Sequence, residues 1–318
     1  MAPHPAVAAI RLAVREALDG PVIVACSGGA DSLALAAALA FEAPRRDIPA
    51  GLITIDHGLR PGSAEQATRI AALGYEFGLD PVEVVSVAVG TSGGPEAAAR
   101  TARYRALLSA ADALDRDVML AHTLDDQAET VLLGLGRGSG PRSIAGMRRR
   151  SGRCVRPLLS VRRATTVAAC TALGLEPWQD PHNDDPSFQR VRLRREVLPL
   201  LEDVLQGGVA EALARTAELL QDDLDALDEL VAPDRNAVDD GLDVAAITAL
   251  PRALRSRTLR TWARSLGAEP LGAVHVAALE ALVVDWHGQG PVDLPGGAQA
   301  RRVSGRIVGK PADRPEKL

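Results

Sequence analysis

Four short apolar runs, separated by alanine-rich helix-forming runs, fill the first 125 residues and constrain the fold more than any other feature of this chain. PVIVAC (21–26), AGLITID (50–56), PVEVVSVAV (81–89) and DVMLAH (117–122) have the length and β-branched content of buried strands. SLALAAALAFE, SAEQATRIAALGYEFG and PEAAARTARYRALLSAADAL, which lie between them, read as helices. Such alternation predicts an α/β fold, a doubly wound and mostly parallel sheet whose ligand crevice lies beyond the carboxyl ends of the strands. The polar residues at those ends are therefore the candidates for function: Ser27 to Ser32, Asp56 with His57, and His122 to Asp126.

At 318 residues the chain exceeds the size at which single cores stop growing, about 250–300 residues, so two domains are expected. The acidic helical stretch GGVAEALARTAELLQDDLDALDELV makes a natural connection, which places a catalytic domain at 1–204 and a linker helix with a smaller, mainly helical domain at 205–318. The N-terminal MAPHPAVAAIRLAVREALDG is an amphipathic helix interrupted by Arg11, Arg15 and Glu16, unlike a secretory signal. No run approaches the roughly 18–20 apolar residues of a membrane span. Cys26, Cys154 and Cys170 are odd in number and form no C-x-x-C pair, so neither a disulfide framework nor a zinc site is indicated and a cytoplasmic setting is expected. Residues 137–163, rich in glycine and arginine, read as loops with a short strand near Cys154–Leu158.

VACSGGADS, at the end of the first strand, has the shape of a phosphate-binding turn. Backbone amides of Gly28, Gly29 and the first helical turn would converge on one spot, where the helix dipole also favours an anion. The lysine of a Walker A loop is missing, which argues against simple γ-phosphate hydrolysis. Asp31 beside phosphates requires a divalent cation between them, so the loop implies Mg²⁺. The bland alternative is an incidental turn in which Asp31 merely caps a helix.

SGGADS also resembles the loop of the ATP pyrophosphatase (PP-loop) superfamily, which cleaves ATP between the α and β phosphates. Other segments resemble one family within it, the tRNA(Ile)-lysidine synthetases, in the same order along the chain: DHGLRPGS (56–63), PEAAARTARYRAL (95–107), AHTLDDQAETVLLGLGRGSGPRSIAGM (121–147), RPLL, and WQDPHNDDPSFQRVRLRREVLPLL. The resemblance covers about residues 20–201, with weaker echoes in LPRALRSRTLRTWARSLG and DLPGGAQARRVSGRIV, and the length is similar to the family's short form with one C-terminal domain. Val191 and the glycines 134 and 136 depart from the family pattern. The resemblance implies an ATP-dependent ligase. It would adenylate C2 of the wobble cytidine in a CAU-anticodon tRNA(Ile) and replace AMP with L-lysine, with ATP and Mg²⁺ as cofactors; a homodimer is compatible with it. It implies ATP contacts at Ser27, Gly28, Gly29, Ala30, Asp31, Ser32, Asp56 and His57, a metal at Asp31, catalytic roles for Asp31, His122 and Asp126, and a lysine site at Asp126 and Glu129.

The same residues read physically as follows. Asp126 and Glu129, three apart, share one face near a helix N-terminus and could cradle an ammonium group, or could be a solvated acidic first turn. His122 at a strand end could touch a phosphoryl group or be structural. Arg100, Arg103 and Arg105 lie on one helix, with 105 off the face of the other two. Asn183 is either a contact or a turn residue.

From Arg137 to Arg195 there are 13 arginines against four acids, whereas 202–243 holds 13 acids against two arginines, although the whole chain carries a net charge of −5. Phosphate contacts respond to the local field, so this segment is expected to face RNA, with Arg100, Arg105, Arg137, Arg142, Arg190, Arg192 and Arg194 as candidates. Two rivals remain: a PP-loop thiolation enzyme, which would need sulfur-carrying cysteines, and a non-catalytic nucleotide-binding regulator, which would not need an amine cradle.

Overall fold

In the computed structural model, which describes residues 2–56, 58, 62–87, 95–138, 140–178, 185–231 and 241–312, the chain divides into two compact units, Met1–Glu218 and Leu219–Leu318. The first contains α1 (Pro5–Ala17), β1 (Val22–Ala25), α2 (Ala30–Glu42), β2 (Ala50–Asp56), α3 (Ser63–Glu76), β3 (Val82–Ser86), α4 (Pro95–Leu114), β4 (Asp117–Met119), α5 (Leu124–Arg137), α6 (Pro141–Ile144), β5 (Arg150–Ser151), β6 (Cys154–Val155) and α7 (Arg163–Leu173). A helical run from Gln189 to Val204 follows, π-type over Leu193–Val197.

The sheet order is β3-β2-β1-β4-β6-β5, parallel throughout except for β5. Side chains alternate across a strand, and this sheet is covered on both faces. Val22 and Val24 of β1 therefore pack with α1, α2 and α7, through Val7, Ile10, Val14, Leu35 and Ala169, while Ile23 joins Ile53, Leu107, Ala111 and Val118 on the α4 face. Burial on both sides explains why these strands read as unbroken apolar runs.

β1 pairs with β2 on one side and with β4 on the other, which makes the gap between β1 and β4 the point where strand order reverses. The segments leaving the two carboxyl ends are Cys26–Ser32 and Leu120–Asp126. A doubly wound sheet builds its ligand site there.

Two helical segments are not announced by the alternation: α7 and the run 189–204. Gly134, a departure from the family pattern, has a packing reason. A Cβ there would lie 1.8 Å from the Ser143 carbonyl oxygen, so the absent side chain is what lets α6 close on α5. Gly134→Ala should lower stability by about 1–3 kcal/mol, the usual cost of overpacking, seen as an earlier urea midpoint with an unchanged slope. An unaltered midpoint would show that the two backbones part without cost. Val191, another departure, is buried.

The second unit packs helices Val244–Thr248, Arg252–Ser265 and Ala273–Val284 against a small antiparallel sheet formed by β7 (Leu242–Asp243), β8 (Val292–Asp293), β9 (Gln299–Val303) and β10 (Arg306–Lys310). Leu259, Trp262, Leu279, Leu282 and Ile307 form its core, so it is mainly helical with a sheet that the sequence shows only as strand-like pieces. No helix among the described residues is long and apolar enough to cross a membrane.

Candidate active site

A cavity of about 780 Å³ opens at the β1/β4 switch point, lined among others by Ser27, Gly29, Asp31, His122, Asp126 and Arg163. The loop leaving β1 is tied by Ser32, whose Oγ donates to the Gly29 carbonyl (2.9 Å) and accepts from the Ser27 amide (3.2 Å). Gly28 has φ +84°, a left-handed conformation that a side chain disfavours. Its carbonyl accepts from the Trp178 amide at 2.9 Å. Gly29 is the N-cap of α2 and supplies no side-chain bond to the first-turn amides, which leaves this helix end suited to an anion.

On another wall of the cavity, one guanidinium gathers carboxylates from separate elements. Arg163, the first residue of α7, donates through Nε to Asp31 (3.3 Å) and through Nη2 to Asp126 (2.6 Å), and its Nη1 reaches Glu129 (3.5 Å). Thr166, one turn on, donates a short hydrogen bond to Asp31. Burial pushes the Asp31 carboxyl above its usual range despite Thr166 and Arg163. Burial acts the same way on Asp126 but is outweighed by Arg163 and the Thr123 amide, which together hold that carboxyl below the ordinary value. Asp126 also closes a capping box: its Oδ2 accepts from the Thr123 amide and hydroxyl, both at 2.8 Å, while Oδ1 faces Arg163.

Glu129 is fully buried and does not line the cavity. Arg194 Nε donates to its Oε1 at 2.8 Å, and Arg190 approaches its Oε2 at 3.6 Å. Three guanidiniums thus surround one buried carboxylate. A buried charge is tolerated only when paired in this way.

His122 lines the cavity with a buried Nδ1 that meets no hydrogen-bond partner among the described groups. Burial is the main reason its pKa falls to about 3, so the imidazole is neutral at physiological pH. Between pH 6.5 and about 3 the unfolded chain takes up a proton at this position that the folded chain refuses. Stability should therefore decline as pH falls through that window. His122→Asn should flatten the decline, and the His122 ring resonances should stay in the neutral form at pH 5.5. A ring already protonated at that pH would refute the assignment.

The remaining sequence candidates are dispersed. Asp56 ends β2 with its Oδ1 accepting from the Gly58 amide (2.9 Å), outside the cavity lining; His57 and Asn183 lie outside the described residues. Of the three arginines on α4, it is Arg103 that lines the cavity, while Arg100 and Arg105 are exposed. Arg137, Arg142 and Arg192 are exposed, Arg192 in an ion pair with Glu196. Arg190 and Arg194 turn inward onto Glu129. Elsewhere in the basic segment Arg150 pairs with Asp19 and Asp117, Arg153 with Asp112 and Asp115, and Arg162 with Asp125 and Glu211. Sequence reasoning missed Arg163 and Thr166; the available signal was their place just after RPLL.

All three cysteines are free and buried, with thiols pushed up by burial, Cys170 to about 11. None supplies a thiolate at neutral pH.

A strand–loop–helix turn without lysine, carrying an aspartate at the switch point of a 3-2-1-4 sheet, defines the PP-loop class, and a PP-loop domain matches residues 6–201. A TilS substrate binding domain matches residues 242–308. The chain is 56% identical to the tRNA(Ile)-lysidine synthase of Thermobifida fusca, covering 96% of this chain and 98% of that one. It is 55% identical to that of Salinispora tropica (96% of each) and 50% identical to that of Streptomyces coelicolor (97% and 99%). The chain belongs to the tRNA(Ile)-lysidine synthase family. Among solved structures, a U34-tRNA thiolase from Methanococcus maripaludis superposes with a TM-score of 0.56 at 19% identity, over 68% of this chain and 80% of that one, a likeness of fold alone.

Proposed function

We propose that this protein joins L-lysine to the wobble cytidine of a tRNA(Ile) with a CAU anticodon, using ATP, and so changes the codon read from AUG to AUA. The observation that carries the reading is that Ser27, Gly29 to Ser32 and Asp126 line one cavity, which would give an anion site and a carboxylate suited to an ammonium group a shared crevice. In the first step the C2 oxygen of cytidine attacks the α-phosphorus and pyrophosphate leaves with the electrons of the broken P–O bond. In the second the lysine ε-amine attacks C2, AMP leaves, and the nitrogen gives up a proton to a nearby base.

The loop amides would hold the pyrophosphate. Asp31 would hold Mg²⁺, which supplies charge neutralisation when bound; this cation commonly takes one or two carboxylates and completes its shell with phosphate oxygens and water. A lone Asp31 fits that pattern, and among the described residues no group of three or more His, Cys, Asp or Glu forms an all-protein cage. Neutral His122 can donate a hydrogen bond to a phosphoryl oxygen without bringing a charge. Asp126, with Glu129 behind it, would receive lysine, while exposed Arg100, Arg105, Arg137 and Arg142 would meet the RNA backbone. The 242–308 domain would grip the tRNA, and the reaction belongs in the cytoplasm. Protonated, buried thiols speak against sulfur transfer.

The test is incubation with ATP, Mg²⁺, lysine and a CAU-anticodon tRNA, followed by digestion to nucleosides and mass spectrometry. Cytidine heavier by a condensed lysine is expected. Sulfur incorporation or unmodified cytidine would sink the reading.

A further inference from the structure

Arg163 touches carboxylates on both sides of the cavity. Asp31 belongs to the phosphate loop and Asp126 to the expected lysine position, and both accept from the same guanidinium, at 3.3 and 2.6 Å. The Arg163 backbone is pinned separately: its amide donates to Asp125 Oδ2 at 2.7 Å, so the side chain can change partners without moving the start of α7. Glu129, the third carboxylate within reach, is held chiefly by Arg190 and Arg194, whose Nη2 also lies 3.8 Å from Asp126 Oδ1, well beyond the 2.6 Å of the Arg163 contact. One positive charge is therefore divided chiefly between Asp31 and Asp126.

We propose that Arg163 is a positioning residue that couples nucleotide binding to lysine binding, an inference that rests on the ligase reading above. Without ligands, Arg163 occupies the Asp126 oxygen that an ammonium group would use. When nucleotide with its metal ion engages Asp31, the guanidinium loses that contact and gains phosphate oxygens in front of it, which suit its planar fork better than a shared carboxylate. Its hold on Asp126 loosens, and Oδ1 is released to lysine. Lysine, by displacing Arg163 from Asp126, favours the nucleotide by the same factor, because coupling between two binding equilibria is reciprocal.

Isothermal titration of lysine into the full-length protein, with and without Mg²⁺ and α,β-methylene-ATP, tests this. The parent protein should bind lysine about tenfold more tightly with nucleotide, within the usual range of such couplings, and the reverse titration should return the same factor. Arg163→Met should bind lysine without nucleotide more tightly than the parent and show a coupling below about twofold, whereas Arg163→Lys should restore part of it. If Arg163→Met does not fold, Asp31→Asn serves instead: it leaves Arg163 to Asp126, so lysine should bind more weakly than to the parent and no longer respond to nucleotide. Equal lysine affinity with and without nucleotide in the parent protein, or full coupling in either variant, would overturn the proposal. No lysine binding at saturating nucleotide would instead refute the ligase reading itself.

Discussion

Asp31→Ala is expected to lose turnover by on the order of a thousandfold, the scale seen when a group that stabilises developing charge is removed, while the protein stays folded and still retains tRNA. The two halves of this expectation have one physical origin. Asp31 is a carboxylate that burial disfavours and that Thr166 and Arg163 only partly compensate, so its charge is held at a cost to the ligand-free protein. Removing it takes away the group proposed to hold metal and phosphate yet relieves a desolvated charge, as functional sites commonly show. Steady-state nucleoside analysis, thermal unfolding and filter binding of tRNA separate the outcomes. Turnover within tenfold of the parent would place the pyrophosphate elsewhere, and loss of tRNA retention would mean that the loop serves RNA.

Glu129→Ala should behave in the opposite way and lose stability. Arg163, Arg190 and Arg194 all close on this carboxylate, and removing it leaves a hole in which Arg163 and Arg194 keep Asp126 within reach but the hydrogen bond from Arg194 and the ion pair of Arg190 are lost. Breaking a buried ion pair from one side costs about 3–5 kcal/mol. For a unit of this size that corresponds to a fall in melting temperature on the order of 10 °C. Glu129→Gln should recover part of the loss, since an amide oxygen still accepts from Arg194. A change of less than about 1 kcal/mol in Glu129→Ala would mean that the three arginines are solvated well enough to need no partner. Of the three acids in the DDQAE segment, Asp126 thus faces the cavity and Glu129 holds the structure behind it.

What could be read from the residues follows from the range of the interactions. The strands of the first sheet are buried on both faces, so their apolar runs stand out in the sequence and mark the loops at their ends. Asp31, His122 and Asp126 all line the cavity because each sits just past a strand end. Arg163 could not be found in the same way. Its carboxylate partners are 132, 37 and 34 residues away, and nothing near RRATT signals them. α7 was equally obscure, since RATTVAACTAL is rich in β-branched residues that favour helices weakly, and packing against α1 and α2 makes it a helix. A run of charge carries no record of which members turn inward, so Arg190 and Arg194 read from the sequence like the exposed arginines around them.

The pairing of the basic segment also bears on how ions behave around the protein. Arg150, Arg153, Arg162, Arg163, Arg190, Arg192 and Arg194 end on carboxylates that lie outside residues 137–195, from Asp19 to Glu211. These arginines meet an incoming nucleic acid already neutralised by the chain. Counterion release, worth a slope of about 0.9 per phosphate neutralised on a logarithmic plot of duplex affinity against salt, is then governed by fewer cations than the thirteen in the segment. The segment's density of arginine serves cohesion within the fold first and the surrounding ionic atmosphere second.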